Sequence, residues 1–322
     1  MKILITDKMA DEVIEILKDT GHDVTFNEMD ADTLIAEISK YDALMVRSRT
    51  KVLEKIIKAG AKGKLKVIGR AGIGVDNIDL KTATKNNIKV VNAPTGATGS
   101  VAELAIAHML SLSRHISKAD LTMKKGEWAK KQLKGIEIFG KTLGLIGCGN
   151  IGKLTAKYSQ AFNMSVIGYD PFISKEDMQK DGIKKIDELC NIMKEADFIS
   201  LHLPHIPSTH HIIDEKMLSR MKPTAYLINC SRGGIVDEDA LYNALKDGKI
   251  AGAGIDVFEN EPPKESPLLS LDNVILTPHL GANTKEGQIR AGTVCAEQVI
   301  KSLNNETPDF WVNKKNEVKK KI

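Results

Sequence analysis

An α/β fold is predicted, built as two doubly wound parallel-sheet domains with a cleft between them. Three observations predict it. Short β-branched apolar runs alternate with amphipathic stretches along most of the chain, the pattern of parallel strands covered by helices on both faces. About eleven strand candidates are too many for one compact sheet. The 322 residues and 42% apolar content are enough for two cores of ordinary size.

Each element has its own warrant. Residues 2–6 (KILIT) form the first strand and residues 11–17 the first amphipathic helix. Strands at 22–26, 43–48, 66–71 and 88–93 complete the first set. Residues 92–100 (NAPTGATGS) gather Pro, Gly and Thr and mark a seam. One long helical pattern follows from 100 to about 125, with Val101, Leu104, His108, Leu112 and His115 at near-helical spacing. The second set of strands lies at 142–147, 165–170, 197–203, 225–230, 252–257 and 273–279. Within that set, DEDALYNALKDG opens on acids and closes on Gly248, which suits a helix over 237–245. Near residue 282 the chain crosses again, and a final helix over 285–303 is placed to return to the first domain. The first domain is then discontinuous, residues 1–97 plus 285–322, and the second is residues 98–284. The Lys-rich tail, 313–322, reads as a frayed, solvated end rather than a basic arm.

Composition excludes several classes of function. The net charge is +4 with acids and bases interleaved, so no positive stripe is offered to a nucleic acid or a membrane surface. Aromatic residues make up only 4% of the chain, so both cores must be aliphatic. The first apolar run soon meets Asp7 and is too short for a signal sequence or a membrane span. Cys148, Cys190, Cys230 and Cys295 are far apart and form no C-x-x-C, which favours free thiols and a cytoplasmic protein. Of the 46 basic residues only seven are Arg, so each Arg needs its own reading.

The strand at 142–147 runs into Gly147-Cys148-Gly149-Asn150-Ile151-Gly152, which opens a helical pattern. Strand before and helix after are the context that a dinucleotide loop requires. Gly147 allows the tight turn, Gly149 lets a pyrophosphate approach the backbone, and Gly152 lets helix and strand pack closely. Asp170 ends the next strand, where its carboxylate can accept from ribose hydroxyls and repel a 2′-phosphate. NAD is therefore favoured over NADP. The competing reading is an ordinary Gly-rich turn followed by a surface Asp.

Three more segments place polar groups at the ends of strands, the edge where open parallel sheets bind ligands. They are NCSRGG with Arg232, DVFENEPP with Asp256 and Glu261, and TPHLGA with His279. A guanidinium, a carboxylate and an imidazole are what a 2-hydroxy or 2-keto acid needs. Arg binds a carboxylate bidentately, His exchanges the hydroxyl proton, and Glu holds the imidazole. From spacing alone, a surface ion pair and a capped loop residue remain open for Arg232 and His279.

These residues, with VRSRTKV, GRAGIGVDNIDL, NAPTG and HLPHIPST in the same order, resemble the D-isomer-specific 2-hydroxyacid dehydrogenases, and among them the phosphoglycerate dehydrogenases. The likeness runs from Met1 to about Asn313 and implies Rossmann- and flavodoxin-like domains. It implies Arg232 as carboxylate anchor, Glu261 as partner of His279, and His279 as general acid/base. It further implies NAD contacts from Asn150, Ile151, Asp170, Cys230, Ser231, Asp256, Gly281 and Ala282. The loop with Leu203 and Pro204 lines the cofactor site in that family.

Substrate choice is sought in the first domain. Arg47 ends one strand and Arg70 opens the loop through Gly72, Ile73 and Gly74, whose N–H groups suit an anion. Two arginines beside that loop suit a second anion such as a phosphate, and local pairing with Asp42 or Asp76 is the alternative. Arg49 has no assigned role. The implied reaction is oxidation of D-3-phosphoglycerate by NAD to 3-phosphohydroxypyruvate, the entry to serine. Rivals are a glyoxylate or hydroxypyruvate reductase and, in another class, a non-catalytic NAD(H)-sensing protein. The resemblance also implies a homodimer through the 100–125 helix and the following loop, where Lys130 occupies a region that in those enzymes reaches across the dimer. Departures from the family are Asn150 in place of a common Arg, Ala97 in place of a common Asn, and a chain that ends where longer members carry a regulatory domain. His202, His205, His210 and His211 crowd one segment. Two prolines and the lack of paired Cys or an acid cluster argue against a metal there.

Overall fold

The computed structural model describes residues 1–314 and divides into two compact units, Met1–Ala97 joined by the segment from Ala282 onward, and Thr98–Gly281. The second crossing falls between Gly281 and Ala282; the sequence reading put the crossing near residue 282 and the domain boundary at 284/285. The lysine-rich tail reading lies almost wholly outside the described residues.

The first unit runs β1 (Lys2–Ile5), α1 (Asp11–Asp19), β2 (Asp23–Phe26), α2 (Ala31–Glu37), β3 (Ala43–Val46), α3 (Glu54–Ala61), β4 (Val67–Arg70), α4 (Leu80–Lys85) and β5 (Lys89–Asn92). Its sheet has the order β2-β1-β3-β4-β5, and every pair is parallel. Ile3 and Ile5 of β1 point into one core, while Leu4 points into the other with Leu34, Ile56 and Ile57. Burial on both faces explains why β1 and β3 read as apolar runs instead of alternating ones.

The second unit begins with α5 (Thr98–Arg114) and α6 (Ile116–Lys124). It continues through β6 (Thr142–Ile146), α7 (Asn150–Ala161), β7 (Ser165–Tyr169), α8 (Lys175–Lys180), β8 (Lys184–Lys185), α9 (Leu189–Glu195) and β9 (Phe198–Leu201). It closes with α10 (Glu215–Leu218), β10 (Tyr226–Asn229), α11 (Glu238–Lys246), β11 (Gly252–Ile255) and β12 (Val274–Leu276). The sheet order is β12-β11-β10-β9-β6-β7-β8, again parallel throughout. The order reverses between β6 and β9, which is the topological switch point of such a sheet. Helix α12 (Lys285–Leu303) then returns to the first unit, where Ala291, Cys295, Val299 and Leu303 join the core beneath β1, β3 and β4.

Two features differ from the sequence reading. The single helix expected over 100–125 is broken at His115, which takes a left-handed φ of 53°. Helix α5 buries Val101, Ala105, His108, Met109 and Leu112, whereas α6 buries nothing. The chain leaves the core where the core ends. A twelfth strand, β8, pairs with β7 at the sheet edge. It consists of two lysines, so it carries no apolar signal to read.

Candidate active site

The residues singled out in the second unit stand at the C-terminal ends of its strands. Gly147 follows β6, Asp170 follows β7, His202 follows β9, Cys230 follows β10, Asp256 follows β11 and Thr277 follows β12. Parallel pairing puts all of these ends on one edge.

The Gly147–Gly152 loop lies at the switch point. Gly147 has φ 91°, and a Cβ there would collide with the His202 carbonyl, so the turn requires glycine. A Cβ on Gly152 would strike the Gly147 carbonyl, which is the close helix–loop contact expected of the third glycine. At Gly149 a Cβ would meet nothing within 4 Å, so this is where the backbone lies open. Helix α7 starts on Gly149 with no capping side chain and no acid in its first turn, leaving its N–H groups and positive end for an anion. Asp170 sits beside the loop. Its Oδ2 accepts from the Cys148 N–H at 3.0 Å and its Oδ1 from the Phe172 N–H at 2.9 Å. The open backbone, bare helix end and adjacent carboxylate fit a dinucleotide. Asn150 is exposed and Ile151 half-buried at the helix start, and Leu203 packs against Gly147 with Pro204 exposed beside it.

Both nearby thiols are buried. Burial pushes the Cys148 thiol up to about 12, with the Asp170 charge adding to it. Burial, followed by the Asp256 charge, pushes Cys230 well above the ordinary thiol range.

Arg232 is positioned by Asn229. The buried amide of Asn229 accepts from the Ser231 N–H at 3.1 Å and the Ser231 hydroxyl at 2.7 Å, and donates to the Arg232 carbonyl at 3.0 Å. The loop then passes so close to the Phe258 carbonyl that Gly233 has no room for a Cβ. The Phe258–Glu261 turn brings Glu261 to His279. The imidazole Nδ1 lies 2.8 and 3.0 Å from the two carboxylate oxygens, and Glu261 Oε1 also accepts from the Phe258 N–H at 3.2 Å. Burial raises the Glu261 pKa. The His279 hydrogen bond and charge, the Phe258 N–H and the Arg232 charge outweigh it, so the carboxyl ends below its ordinary value. A carboxylate only accepts, so Nδ1 carries the proton and Nε2 of the neutral ring is the free base.

The loop carrying His279 is pinned through Asp256. This buried carboxylate accepts from the Leu280 N–H at 2.7 Å, the Gly281 N–H at 2.8 Å and the Thr277 hydroxyl at 2.6 Å. Ala282 begins the segment that belongs to the first unit.

In the first unit, Arg47 follows β3 and Arg70 ends β4, so both again stand at the C-terminal edge of a parallel sheet. Asp42 is taken by Lys66 at 3.5 Å and by the Lys2 N–H at 2.9 Å. The Arg47 guanidinium donates to the Lys8 carbonyl at 3.3 Å. The Arg70 side chain lies over Gly72. Loop 72–74 is tied down by Ala93, whose N–H reaches the Gly72 carbonyl at 2.9 Å, and by Asn92, whose amide reaches the Ile73 carbonyl at 2.5 Å, with Gly74 half-buried beyond. Asp7 was not singled out in the sequence. Its buried carboxylate accepts from the Arg47 N–H at 2.6 Å and the Thr50 hydroxyl at 2.5 Å, and lies 3.3 Å from the Arg49 Nε. Arg49, without a role in the sequence, therefore braces the turn that presents Arg47. An acid directly after the first strand was the available signal.

The histidine-rich segment is spent on local contacts. His205 Nε2 lies 3.1 Å from His210 Nδ1, and His211 Nε2 lies 2.8 Å from Glu259. Lys130 is exposed in a short 3₁₀ turn, Lys130–Gln132.

Residues 106–281 match the model of the D-isomer specific 2-hydroxyacid dehydrogenase NAD binding domain. The whole chain is 48% identical to a D-3-phosphoglycerate dehydrogenase of Methanocaldococcus jannaschii and spans 61% of its length. Over 94% of the chain there is 45% identity to a hydroxypyruvate reductase of Thermotoga maritima, covering 98% of that protein. The fold is similar to that of a D-lactate dehydrogenase from Aquifex aeolicus complexed with NAD and lactic acid, at TM-score 0.86 and 30% identity over 98% of this chain and 99% of the other. With an NAD-binding domain of this description and relatives matched along its full length, the chain belongs to the D-isomer-specific 2-hydroxyacid dehydrogenase family.

Proposed function

We propose that the protein is an NAD-dependent dehydrogenase that oxidises D-3-phosphoglycerate to 3-phosphohydroxypyruvate, the entry step to serine. The observation that carries the reading is the His279–Glu261 pair, with both carboxylate oxygens within 3.0 Å of Nδ1. Glu261 fixes the tautomer, so Nε2 takes the proton of the C2 hydroxyl. Arg232 anchors the substrate carboxylate and, being cationic, polarises the neighbouring carbonyl as it forms. When bound, NAD would supply the hydride acceptor for C2. Gly149 leaves the backbone open to its pyrophosphate in the tight turn that Gly147 and Gly152 permit, and Asp170 would receive the ribose hydroxyls. Arg47, Arg70 and the 72–74 backbone supply cations and N–H donors for the remaining anionic groups, the phosphate among them.

The identity to a named phosphoglycerate dehydrogenase supports the substrate. The full-length match to a hydroxypyruvate reductase favours a second reading in which an unphosphorylated keto acid is reduced. A kinetic panel of phosphohydroxypyruvate, hydroxypyruvate and glyoxylate with NADH decides between them. The phosphorylated acid should give the highest kcat/KM, and a preference for either of the others would overturn the substrate assignment. No turnover on any of them would favour the NAD(H)-sensing alternative.

A second copy of the chain is the proposed protein partner. Helix α6 and the loop after it expose Ile116, Leu121, Met123, Trp128 and Phe139, the last two at 79% and 66%, and exposed apolar side chains clustered along one segment suit a protein contact. Sedimentation at micromolar concentration should give the mass of a dimer. Three buried free thiols fit a reducing compartment, and the cytoplasm is the proposed location. Among the described residues no helix is long and apolar enough to cross a membrane.

A further inference from the structure

The loop that carries His279 is held from beneath by a chain of part-buried hydrogen bonds that starts on a histidine outside the site. His108 lies on the inner face of α5 and is 3% exposed. Its ring packs over Gly254 of β11, where a Cβ would stand 2.8 Å from the imidazole Cγ. Only glycine admits the ring at that point of the strand. His108 Nε2 lies 3.2 Å from Thr277 Oγ1, and the Thr277 hydroxyl lies 2.6 Å from Asp256 Oδ1. Asp256 in turn holds the Leu280 and Gly281 N–H groups with its carboxylate, and the His279 N–H with its main-chain carbonyl at 2.9 Å.

The directions follow from the donor inventory. A carboxylate only accepts, so the Thr277 hydroxyl gives its one proton to Asp256. Thr277 Oγ1 is then left to accept from His108, which places an imidazole proton on Nε2. Burial lowers the His108 pKa, against the raising effect of Asp256, so the ring is neutral near neutral pH. His279 itself sits at φ 53°, a conformation that a non-glycine residue keeps only where its surroundings enforce it.

We propose that His108 is a positioning residue for His279, donating from Nε2 to Thr277 so that the hydroxyl stays aimed at Asp256 and Asp256 keeps the 279–281 backbone in place. The inference rests on the reading of His279 as the group that takes the substrate proton. It adds a residue that touches neither substrate nor cofactor and acts through two intermediaries.

Three substitutions test it: His108→Leu removes the donor, His108→Gln keeps an N–H at similar reach, and Thr277→Val removes the hydroxyl. His108→Leu is expected to lower kcat by about tenfold, the effect of losing one buried hydrogen bond, while KM for the keto acid changes by less than about twofold. His108→Gln should recover most of the loss. The double variant His108→Leu/Thr277→Val should lose no more than Thr277→Val alone, because both changes cut the same chain. Hydrogen exchange of the Leu280 and Gly281 amides should quicken by about tenfold in His108→Leu while β6 amides stay unchanged. Parent-like kcat in His108→Leu, equal losses in the Leu and Gln variants, or losses that multiply in the double variant would each overturn the proposal. Should the Leu variant not fold, parent-like kcat in Thr277→Val overturns it. If the parent turns over none of the acids, the functional reading falls. Exchange at Leu280 and Gly281 then decides the His108 contact by itself, and unchanged exchange refutes it.

Discussion

Replacing His202 with Gln should remove a defined part of the acid sensitivity of the second unit. His202 follows β9, with Nε2 3.0 Å from the Ser200 hydroxyl and a buried Nδ1 that has no hydrogen-bond partner among the described residues. Burial pushes its pKa down from 6.5 to about 4. Because the folded value is the lower one, the unfolded chain takes up the proton first as pH falls. The associated stability is fully present above the unfolded value and is lost as pH drops through the folded one. A gap of about 2.5 units at ~1.36 kcal/mol each makes the full loss about 3 kcal/mol. Near pH 5 about 2 kcal/mol of it has gone, since the unfolded ring is then almost wholly protonated and the folded ring is not. His202→Gln keeps a donor for Ser200 and does not titrate. Urea unfolding of both proteins near pH 7 and near pH 5 isolates this group, because every other titrating side chain is shared. The parent should lose about 2 kcal/mol more than the variant over that interval. Equal losses would refute a ring buried in its neutral form.

Other outcomes follow from the site. His279→Ala should lower turnover by roughly 10²–10⁴ while NADH binding, read by fluorescence titration, stays intact; unchanged turnover would remove His279 from proton transfer. Arg70→Ala should depress kcat/KM for phosphohydroxypyruvate much more than for glyoxylate, and equal losses would count against a phosphate contact. Asp170→Asn should narrow the preference for NADH over NADPH by about tenfold or more, because the charge facing a 2′-phosphate is gone. A preference that does not move would place the discriminating group elsewhere.

Legibility in the sequence tracked how each feature is stabilised. Strands buried on both faces, such as Ile3–Ile5 and Ala43–Val46, are apolar throughout, and they announce themselves. The edge strand at Lys184–Lys185 is held by main-chain pairing with β7 and by the Lys185 ammonium on the Ile173 carbonyl at 2.8 Å, neither of which asks for an apolar side chain. The break at His115 was hidden for the opposite reason. Ile116, Leu121 and Met123 keep the sequence apolar past the break while facing outward.

The site divides in the same way. The glycine loop is legible because a strand–turn–helix is written in a few neighbouring residues, and Asp170, 22 residues beyond Cys148, because it ends the very next strand. Glu261 and His279 are 18 residues apart and could be joined only through the rule that parallel strands deliver their ends to one edge, together with the resemblance. His108 is 169 residues from Thr277, and a histidine at an apolar position of a helix reads as core. Yet β11 and β12 are parallel in the register Ile255↔Leu276, so Asp256 and Thr277, one residue beyond each, must be neighbours. Any polar group that α5 lays across β11 near that end must meet them, provided the strand offers it space. Gly254, an otherwise costly residue inside a buried strand, is that space. The pair to look for was therefore a glycine two residues before the acid and a polar residue on the helix above it. Neither has meaning without the register that brings them together.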